Sequence, residues 1–497
     1  MPNPGPPICY PLGMTEREFA TEVVARLQKV GHQALWAGGC VRDELLGLDP
    51  ADYDIATDAR PEQVQALFRR SVGVGASFGV VEVLGPRDPE GNWLKVQVAT
   101  FRSDVGYSDG RRPDAVVFSS PEEDAKRRDF TINGMFLDPV HKQVIDHVGG
   151  RADLEAKVLR AIGDPSERFT EDKLRILRAV RMAARFELTI DPTTLDAARR
   201  MADQIQVVSA ERIAEELRKV LTNRNRARGF RLLREFELVG PILPELVPTF
   251  ELPQGPPDAP TGTLWDHTAR VLEVLTPGTA AVSAALAPHA GGLGHSSSAS
   301  TDEARAAGTA AVPGVTFPLA FAAVLHDIGK PRVMGRTPDR YTFHGHEHIG
   351  ARMAADVCRR LRLSNDDAKR VVWLVQNHQY LCDAPTMRAS RLKPILVHPG
   401  IGELLALHRA DAVASNRDLA HVEFCERILR ETPPEELDPP PLVTGDDLRA
   451  LGQTPGPPFK RILDAVREAQ LEGQITTKED GLCLVRELLR EKERDRS

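Results

Sequence analysis

The chain has 497 residues, 41% of them hydrophobic and 27% charged, which is the balance of a globular protein with about three domains. Aromatic residues make up only 5%, which argues against a binding site built from a row of stacked rings. The net charge of -7 argues, taken as a whole, against a nucleic-acid-binding protein. The six cysteines form no CxxC pair, which excludes a disulfide framework and a cysteine zinc site. No apolar run approaches the roughly 18 residues of a membrane span, so we expect no membrane partner.

The pattern of apolar residues divides the chain into a mixed part followed by helical parts. Short β-rich runs such as FGVVEVLG and LKVQVATF alternate with helical stretches at first, and predict an α+β head. Apolar residues then recur every three or four positions, which predicts helices to the end of the chain. The expected segments are a flexible leader at 1–13, the head at 14–150, a helical neck at 151–246, a second helical domain at 264–430 with a disordered insertion at 277–316, and a helical tail at 440–490.

The first chemical pattern is AGGCVRDELLGLDPADYDIAT. Asp52 and Asp54 lie two residues apart, so both side chains leave the same face of an extended chain, as a pair of Mg²⁺ ligands would. Upstream, Gly38 and Gly39 separate a strand-like run from a helical one. The amides freed at such a helix start attract anions, and Arg42 adds a guanidinium that can bind phosphate. The pattern predicts a site for a triphosphate and its metal ions.

The glycine turn, VRD and DxD resemble the class II nucleotidyltransferase superfamily, which contains bacterial CCA-adding enzymes and poly(A) polymerases. RRDFTINGMFLD resembles its second motif, and the stretch 100–118 resembles a flexible loop whose presence argues against a CC-only enzyme. The resemblance implies a mixed β-sheet in the head and Mg²⁺ on Asp52 and Asp54. Gln97 stands where many relatives have glutamate, so no third metal carboxylate is assigned. The implied nucleotide-binding residues of the head are Gly38, Gly39, Arg42, Asp43, Arg128, Asp129 and Asn133.

EDKLRILRAVRMAARF predicts an amphipathic helix with an unusual polar face. Arginines three or four residues apart repel one another, so a row of them predicts an anion alongside. The segment resembles the nucleotide-selecting EDxxR motif of the same superfamily, which implies that Asp172 and Arg175 pair with the base edge. The resemblance also implies that Arg178 and Arg181 approach the triphosphate. A carboxylate acceptor beside an arginine donor suits cytosine or adenine and misfits uracil or guanine.

Histidines and carboxylates are spread over LWDHTARVLEVL, VLHDIGKP, HGHEHIG, QNHQY and HRADAVASN, and together predict a divalent-metal site. The order H…HD…D resembles the HD phosphohydrolase superfamily. The resemblance implies His267, His326, Asp327 and Asp411 as ligands, with His346 and His378 matching the extra ligands of two-metal members. The metal could be Mg, Mn or Ni.

The motifs together predict a cytoplasmic, Mg²⁺-dependent enzyme that adds CCA to tRNA 3′ ends from CTP and ATP. Two alternatives remain open: an A-adding enzyme or poly(A) polymerase, and an HD phosphohydrolase whose head only binds nucleotides.

The distribution of charge along the chain is compatible with RNA binding, although the net charge is negative. Residues 160–235 hold 17 Lys and Arg against 12 Asp and Glu, a balance of +5, while the remaining residues sum to −12.

Overall fold

A computed structural model describes residues 13–73, 79–88, 91–106, 115–255, 261–277 and 314–494. The described residues form two compact units. The first holds the residues up to Val247 together with 360–363, and the second holds the remainder. The predicted leader, apart from its last residue, lies outside the described residues, as do 107–114 of the predicted loop and 278–313 of the predicted insertion.

The first unit is built on a seven-stranded sheet with the strand order β3-β4-β5-β2-β1-β8-β9. Its strands are β1 (Ala34–Ala37), β2 (Asp54–Thr57), β3 (Ser71–Gly73), β4 (Val80–Arg87), β5 (Trp93–Thr100), β8 (Phe136–Asp138) and β9 (Gln143–Ile145). Two further strands, β6 (Arg102–Val105) and β7 (Ala115–Phe118), pair antiparallel in a sheet of their own. The sheet is mixed, because β2 and β5 run parallel while its other pairs are antiparallel.

Alternating burial gives β4 and β5 one packed face and one open face. In β5 the residues from Leu94 to Thr100 alternate between the two, with Leu94, Val96 and Val98 buried. Helix α1 (Glu16–Lys29) begins with a capping box at Thr15 and contacts β1 and β5 through its buried apolar residues. The parallel register sets Asp54 beside Gln97, so the first residue of β2 stands next to the open face of β5.

The rest of the first unit is mainly helical. Its other helices are α2 (Gly39–Leu45), α3 (Pro61–Leu67), α4 (Pro121–Lys126), α5 (Gly150–Glu155), α6 (Pro165–Glu171), α7 (Leu174–Arg185), α8 (Pro192–Arg200), α9 (Ala210–Leu221), α10 (Arg226–Glu235) and α11 (Val239–Ile242). Two short strands, β10 (Val158–Leu159) and β11 (Thr189–Ile190), pair with each other in parallel. The single helix predicted for EDKLRILRAVRMAARF is divided, because Asp172 leaves the helical region with φ −145° and ψ 105°.

The second unit is almost entirely helical. It contains α12 (Leu264–Val274), α13 (Phe317–Leu325), α14 (Lys330–Val333), α15 (His346–Arg360), α16 (Asn365–Asn377), α17 (Ala389–Leu396), α18 (Ile401–Ala414), α19 (Ala420–Glu431), α20 (Pro434–Leu437), α21 (Gly445–Ala450), α22 (Pro457–Leu471) and α23 (Lys478–Arg494). The strands β12 (Gly335–Arg336) and β13 (Tyr341–Thr342) form a small hairpin. Helices α21, α22 and α23 enclose a hydrophobic cluster of their own around Leu448, Val466 and Val485.

The prediction of an α+β head followed by helical regions is confirmed. The tail has three helices, α21 to α23. The short α21 begins with a capping box formed by Thr444 and Asp447. Among the described residues, no helix is long and apolar enough to cross a membrane.

Candidate functional site

Asp52 and Asp54 stand at the start of β2, beside the open face of the sheet. Desolvation by the surrounding protein and the neighbouring Asp52 carboxylate raise the pKa of Asp54 to about 6, although Arg128 opposes the shift. The pKa of Asp52 is also raised, first by desolvation and then by Asp43. A cation bound between the two carboxylates would offset the repulsion by which Asp52 raises the pKa of Asp54. This donor pair therefore fits the predicted magnesium ion.

The glycine turn beside these carboxylates is tightly constrained. Gly38 has φ +78°, a region that favours glycine, and it precedes α2 directly. A β-carbon at this position would lie 2.7 Å from Nη1 of Arg128. The Gly38 amide donates to the Met135 carbonyl, so the amides free for an anion at this helix start come from Gly39 onward. The turn thus brings the Arg128 guanidinium against the start of α2.

We expect Gly38→Ala to weaken nucleotide binding, because the new methyl group must displace the Arg128 guanidinium. Gly47→Ala is the matched control: Gly47 also has a positive φ, +67°, but nothing lies within 4 Å of its β-carbon position. Both variants should lose about 1 kcal/mol of stability from backbone strain. Only Gly38→Ala should raise the Kd for CTP, by about ten-fold, measured by isothermal titration calorimetry. Equal CTP affinities in the two variants would contradict the assigned position of Arg128.

A buried hydrogen-bond network connects α2, the second motif and α7. Arg42 is only 4% exposed, and it donates to Asp43 at 2.7 Å and to the Asn133 side-chain oxygen at 2.5 Å. The Asn133 amide donates to Asp129 at 3.0 Å, and the Asp129 carboxylate pairs with Arg178 at 2.6 Å. Five predicted site residues from three separate motifs therefore lie in one connected chain of contacts.

Arg128 is held by a carboxylate that sequence reasoning did not identify. Its Nε and Nη2 donate to Oδ2 of Asp124, at 3.2 and 2.9 Å, while the other oxygen of Asp124 pairs with Arg127 at 2.7 Å. Asp124 lies on α4 and is almost completely buried. The spacing of four residues on a helix is the one signal in the sequence that could have indicated this pair.

Each arginine on the polar face of α7 is paired with a carboxylate of the protein. The pairs are Arg175 with Glu171 at 2.5 Å, Arg178 with Asp129 at 2.6 Å, Arg181 with Glu216 at 2.7 Å and Arg185 with Asp43 at 3.6 Å. The sequence predicted anions beside this row of arginines. In the protein without substrate, these four carboxylates are the anions. The triphosphate contacts of Arg178 and Arg181 remain predictions.

Asp172 and Arg175 face separate partners on either side of the helix break. Asp172 accepts from the Leu174 amide at 3.0 Å and from Arg212 of α9 at 2.8 Å. Arg175 donates to Glu171 and also to the Arg127 carbonyl at 3.0 Å. Arg212 and Glu171 are thus the residues that orient the predicted base-selecting pair, and the sequence reasoning assigned neither of them a role.

We expect Arg178→Met to destabilise α7 by about 2–3 kcal/mol, because it leaves the Asp129 carboxylate buried without its cation. Although burial opposes the shift, Arg178 and the Asn133 amide lower the pKa of Asp129 from 3.8 to about 2. The Asp129 carboxylate therefore contributes fully to the stability of the folded state above about pH 4. This contribution, about 2 kcal/mol, is lost as the pH falls towards 2. Hydrogen exchange of the α7 amides would measure the loss.

The double variant Arg178→Met/Asp129→Asn should recover much of that loss at pH 7, since no buried charge remains. Arg200→Met, on the exposed surface of α8, is the control for removing one arginine. A cost below about 0.5 kcal/mol for Arg178→Met, the range of ordinary surface substitutions, would show that the pair does not stabilise this helix.

The second unit gathers its histidines and carboxylates around Asp327. One oxygen of Asp327 lies 3.2 Å from His346 Nε2 and 3.4 Å from His378 Nε2, and the other lies 3.2 Å from His326 Nε2. His267 Nε2 lies 3.1 Å from Asp411 and 3.9 Å from Asp327. The structure thus brings all six predicted ligands into one buried cluster.

The tautomers of three of these histidines suit a metal ion. The Nδ1 atoms of His326, His346 and His378 each lie within 3 Å of a backbone carbonyl, which places the proton on Nδ1 and leaves the Nε2 lone pair directed inward. Nε2 of His326 and Oδ1 of Asp327 are buried and accept no hydrogen bond. The Nε2 atoms of His346 and His378 approach to 3.1 Å, an arrangement that a cation between them would stabilise.

Two cations stand beside this cluster at the wall of an open cavity of about 730 Å³. Lys330 lies 2.5 Å from Asp327, and Arg417 lies 2.6 Å from the oxygen of Asp411 that does not face His267. Although burial opposes the shift, His326 and Lys330 hold the pKa of Asp327 well below its usual range. A cavity with carboxylates and histidines at its base and cations at its wall suits a phosphate ester.

Three family models match the chain, each over a separate segment. Residues 34–160 match the "Poly A polymerase head domain". Residues 187–249 match the "Probable RNA and SrmB- binding site of polymerase A", and residues 301–416 match the "HD domain".

Curated relatives match less than half of the chain. A CCA-adding enzyme of Levilactobacillus brevis is 42% identical over 43% of this chain and 52% of its own length. A CCA-adding enzyme of Bacillus subtilis is 43% identical over 41% of this chain and 50% of its own. A poly(A) polymerase I of Salmonella typhi is 38% identical over 47% and 51%. The chain spans about half the length of the curated relatives that it matches.

Solved structures share the fold over nearly the whole chain. The Bacillus stearothermophilus CCA-adding enzyme in complex with CTP superposes with a TM-score of 0.58 at 24% identity, covering 97% of this chain and all of that one. A Thermotoga maritima CCA-adding enzyme complexed with tRNA gives 0.55 at 20% identity, covering 95% and 94%. Separate segments of the chain thus match the models of a poly(A) polymerase head domain, an RNA-binding domain and an HD domain, and the fold is that of solved CCA-adding enzymes.

Proposed function

We propose that the protein is a tRNA nucleotidyltransferase that adds C and A to tRNA 3′ ends from CTP and ATP, with release of diphosphate. The observation that carries the proposal is the carboxylate pair at the start of β2, which lies beside the Gly38 turn. Helix α2, which follows this turn, is connected to α7 through the Arg42–Asn133–Asp129–Arg178 network. The curated relatives that match less than half of the chain at about 40% identity include CCA-adding enzymes, which supports the same assignment.

Asp52 and Asp54 would hold Mg²⁺, which when bound supplies Lewis-acid chemistry at the tRNA 3′-hydroxyl and at the departing diphosphate. The other residues of the site would position the nucleotide. Arg128, oriented by Asp124 and placed against Gly38, would bind phosphate oxygens at the start of α2. Asn133 and Asp129 would border the ribose, because Arg42 and Arg178 hold them in place from either side.

Base selection would depend on Asp172 and Arg175. An exocyclic amino group beside a ring nitrogen is common to cytosine and adenine, and it presents one donor and one acceptor. Asp172 supplies an acceptor and Arg175 a donor, so the pair could accept either base in place of a nucleic-acid template. Arg212 and Glu171 would keep the two side chains from turning towards each other.

The test is to incubate the purified protein with tRNA that ends before CCA, supplying labelled CTP and ATP separately and together. Addition of C, C and A is the expected result. Addition of A only, onto a tRNA ending in CC, would indicate an A-adding enzyme. A long A tail would indicate a poly(A) polymerase, the activity named for the Salmonella typhi relative.

The sequence favours the tRNA substrate. Bacterial poly(A) polymerases are expected to have a basic run shortly after the DxD pair, and the local sequence FRRSVGVGASFG lacks it.

We propose as a second function that the HD domain binds a divalent metal and hydrolyses phosphate esters. The cluster around Asp327, with three inward-facing imidazoles, carries this proposal. Mg, Mn and Ni are the candidate ions, and elemental analysis of the purified protein would distinguish them. Hydrolysis of a 2′,3′-cyclic phosphate at an RNA end, assayed in the presence of each metal, would test the activity.

We place the protein in the cytoplasm, where tRNA and nucleoside triphosphates occur together.

A further inference from the structure

A group of exposed cations surrounds a tryptophan on the open face of the head sheet. Arg87 and Trp93 are register partners on β4 and β5, and Lys95 follows two residues along β5 on the same face. Arg70 directly precedes β3, at the edge of the sheet. We call Arg70, Arg87, Trp93 and Lys95 the Trp93 cluster. All four are exposed, Trp93 by 37%.

The two arginines of the Trp93 cluster are positioned by the indole. The Arg70 guanidinium carbon lies 5.1 Å from the Trp93 ring centroid, and that of Arg87 lies 4.7 Å from it. Arg87 also donates to the Gly91 carbonyl at 2.9 Å. Stacking of this kind is worth about 0.5–1 kcal/mol at an exposed site, and it leaves guanidinium N–H groups at the ring edge available to acceptors.

The cations of the Trp93 cluster differ from those of α7 in their pairing. Each arginine of α7 faces a carboxylate, whereas Arg70, Arg87 and Lys95 form no ion pair within the described part of the chain. Glu82 lies on the same face but further along β4, opposite Gln97. The Trp93 cluster itself holds three cations and no carboxylate, in a chain whose net charge is -7.

The position of the Trp93 cluster connects it with the proposed catalytic carboxylates. Along β5 the side chains of Trp93, Lys95 and Gln97 alternate onto one face, and Gln97 is the register partner of Asp54. Along β5, two residues span about 7 Å and four span about 13 Å, so Lys95 lies about 7 Å and Trp93 about 13 Å from the register position of Asp54. An RNA strand whose 3′ end reaches Asp54 therefore passes within reach of these cations if it follows β5.

We propose that the Trp93 cluster binds the phosphate backbone of the tRNA substrate, a role that rests on the proposed nucleotidyltransferase function. The phosphates of RNA are the anions that a tRNA strand following β5 would bring to this face. Three cations that form no ion pair with the described residues, two of them stacked as planar forks on an indole, provide contacts that are independent of sequence. A protein partner is the less favoured occupant, because the exposed apolar area of the cluster is limited to part of one indole.

The test compares two charge-matched double variants. Arg70→Gln/Arg87→Gln removes two cations from the cluster. Lys29→Gln/Lys142→Gln removes two exposed cations elsewhere on the head, Lys142 beside β9 at the opposite edge of the same sheet. For the cluster variant we expect the tRNA Kd to rise about ten-fold at 0.1 M salt. The slope of log K against log salt should become shallower by about 1.5, as for the loss of two phosphate contacts. The Kd for CTP should not change in either variant.

Trp93→Leu separates the positioning of the arginines from their charge. It should raise the tRNA Kd about three-fold with an unchanged salt slope, because the cations remain but are no longer oriented. Equal tRNA affinities and salt slopes in the cluster variant and the control would overturn the inference while leaving the proposed function intact. Failure of the wild-type protein to bind tRNA would instead overturn the proposed function, and this inference with it.

Discussion

Asp52→Asn and Asp54→Asn should each lower the incorporation of CTP and ATP into tRNA by about 10³-fold or more. Asparagine keeps the size of the side chain and removes the charge, so the loss reports the electrostatic role of the carboxylate in holding Mg²⁺. Single-turnover incorporation of labelled CTP is the measurement, because it follows the chemical step without product release. Titration calorimetry with Mg²⁺ and CTP should show weaker metal-dependent binding in both variants.

Asp49→Asn is the matched control for these variants. Asp49 is exposed, lies three residues before Asp52 and carries the same charge, so its loss alters the local field without removing a predicted ligand. We expect nearly normal incorporation. Wild-type rates in Asp52→Asn or Asp54→Asn would refute the assignment of that residue to the magnesium site. Loss of activity in all three variants would indicate a general effect of charge.

Asp327→Asn should abolish retention of the divalent metal by the HD domain, with a loss of affinity of at least about 100-fold. Asp327 contacts His326, His346 and His378 at once, and an amide nitrogen in place of one carboxylate oxygen turns an acceptor into a donor facing imidazole lone pairs. Elemental analysis after dialysis is the measurement. Hydrolysis of a 2′,3′-cyclic phosphate should disappear with the metal, while CCA addition to tRNA should persist.

His398→Gln provides the control for this variant. His398 belongs to the same unit but is stacked on Trp373 with ring centroids 3.7 Å apart, and it is not among the clustered ligands. It should retain the metal and the hydrolysis. If Asp327→Asn retains its full metal content, the cluster around Asp327 is not the metal site.

The sequence predicted the α+β head and the helical remainder, because these depend on local periodicity and on short motifs. The DxD pair and the glycine turn could be placed for the same reason, since each is one contiguous segment. Glu216 and Arg212 could not be identified, because they lie on α9 and act on Arg181 of α7 and on Asp172. Their positions follow from how those helices pack, which residue spacing alone does not encode.

The HD cluster shows the same division. The order of histidines and aspartates along the chain indicated all six candidate ligands, although they come from five separate segments. Lys330 and Arg417 were not predicted as part of the site. Each follows a ligand by a few residues, and only the three-dimensional structure shows that their side chains return to the carboxylates of Asp327 and Asp411.

The carboxylate of Asp124 serves Arg127 and Arg128 at once, one oxygen to each. A designer who grafted only the segment RRDFTINGMFLD onto another scaffold would transfer both guanidinium groups without the residue that sets their directions. The smallest transplantable unit therefore begins on α4, before the motif itself, and the new scaffold must bury position 124 as completely as this one does.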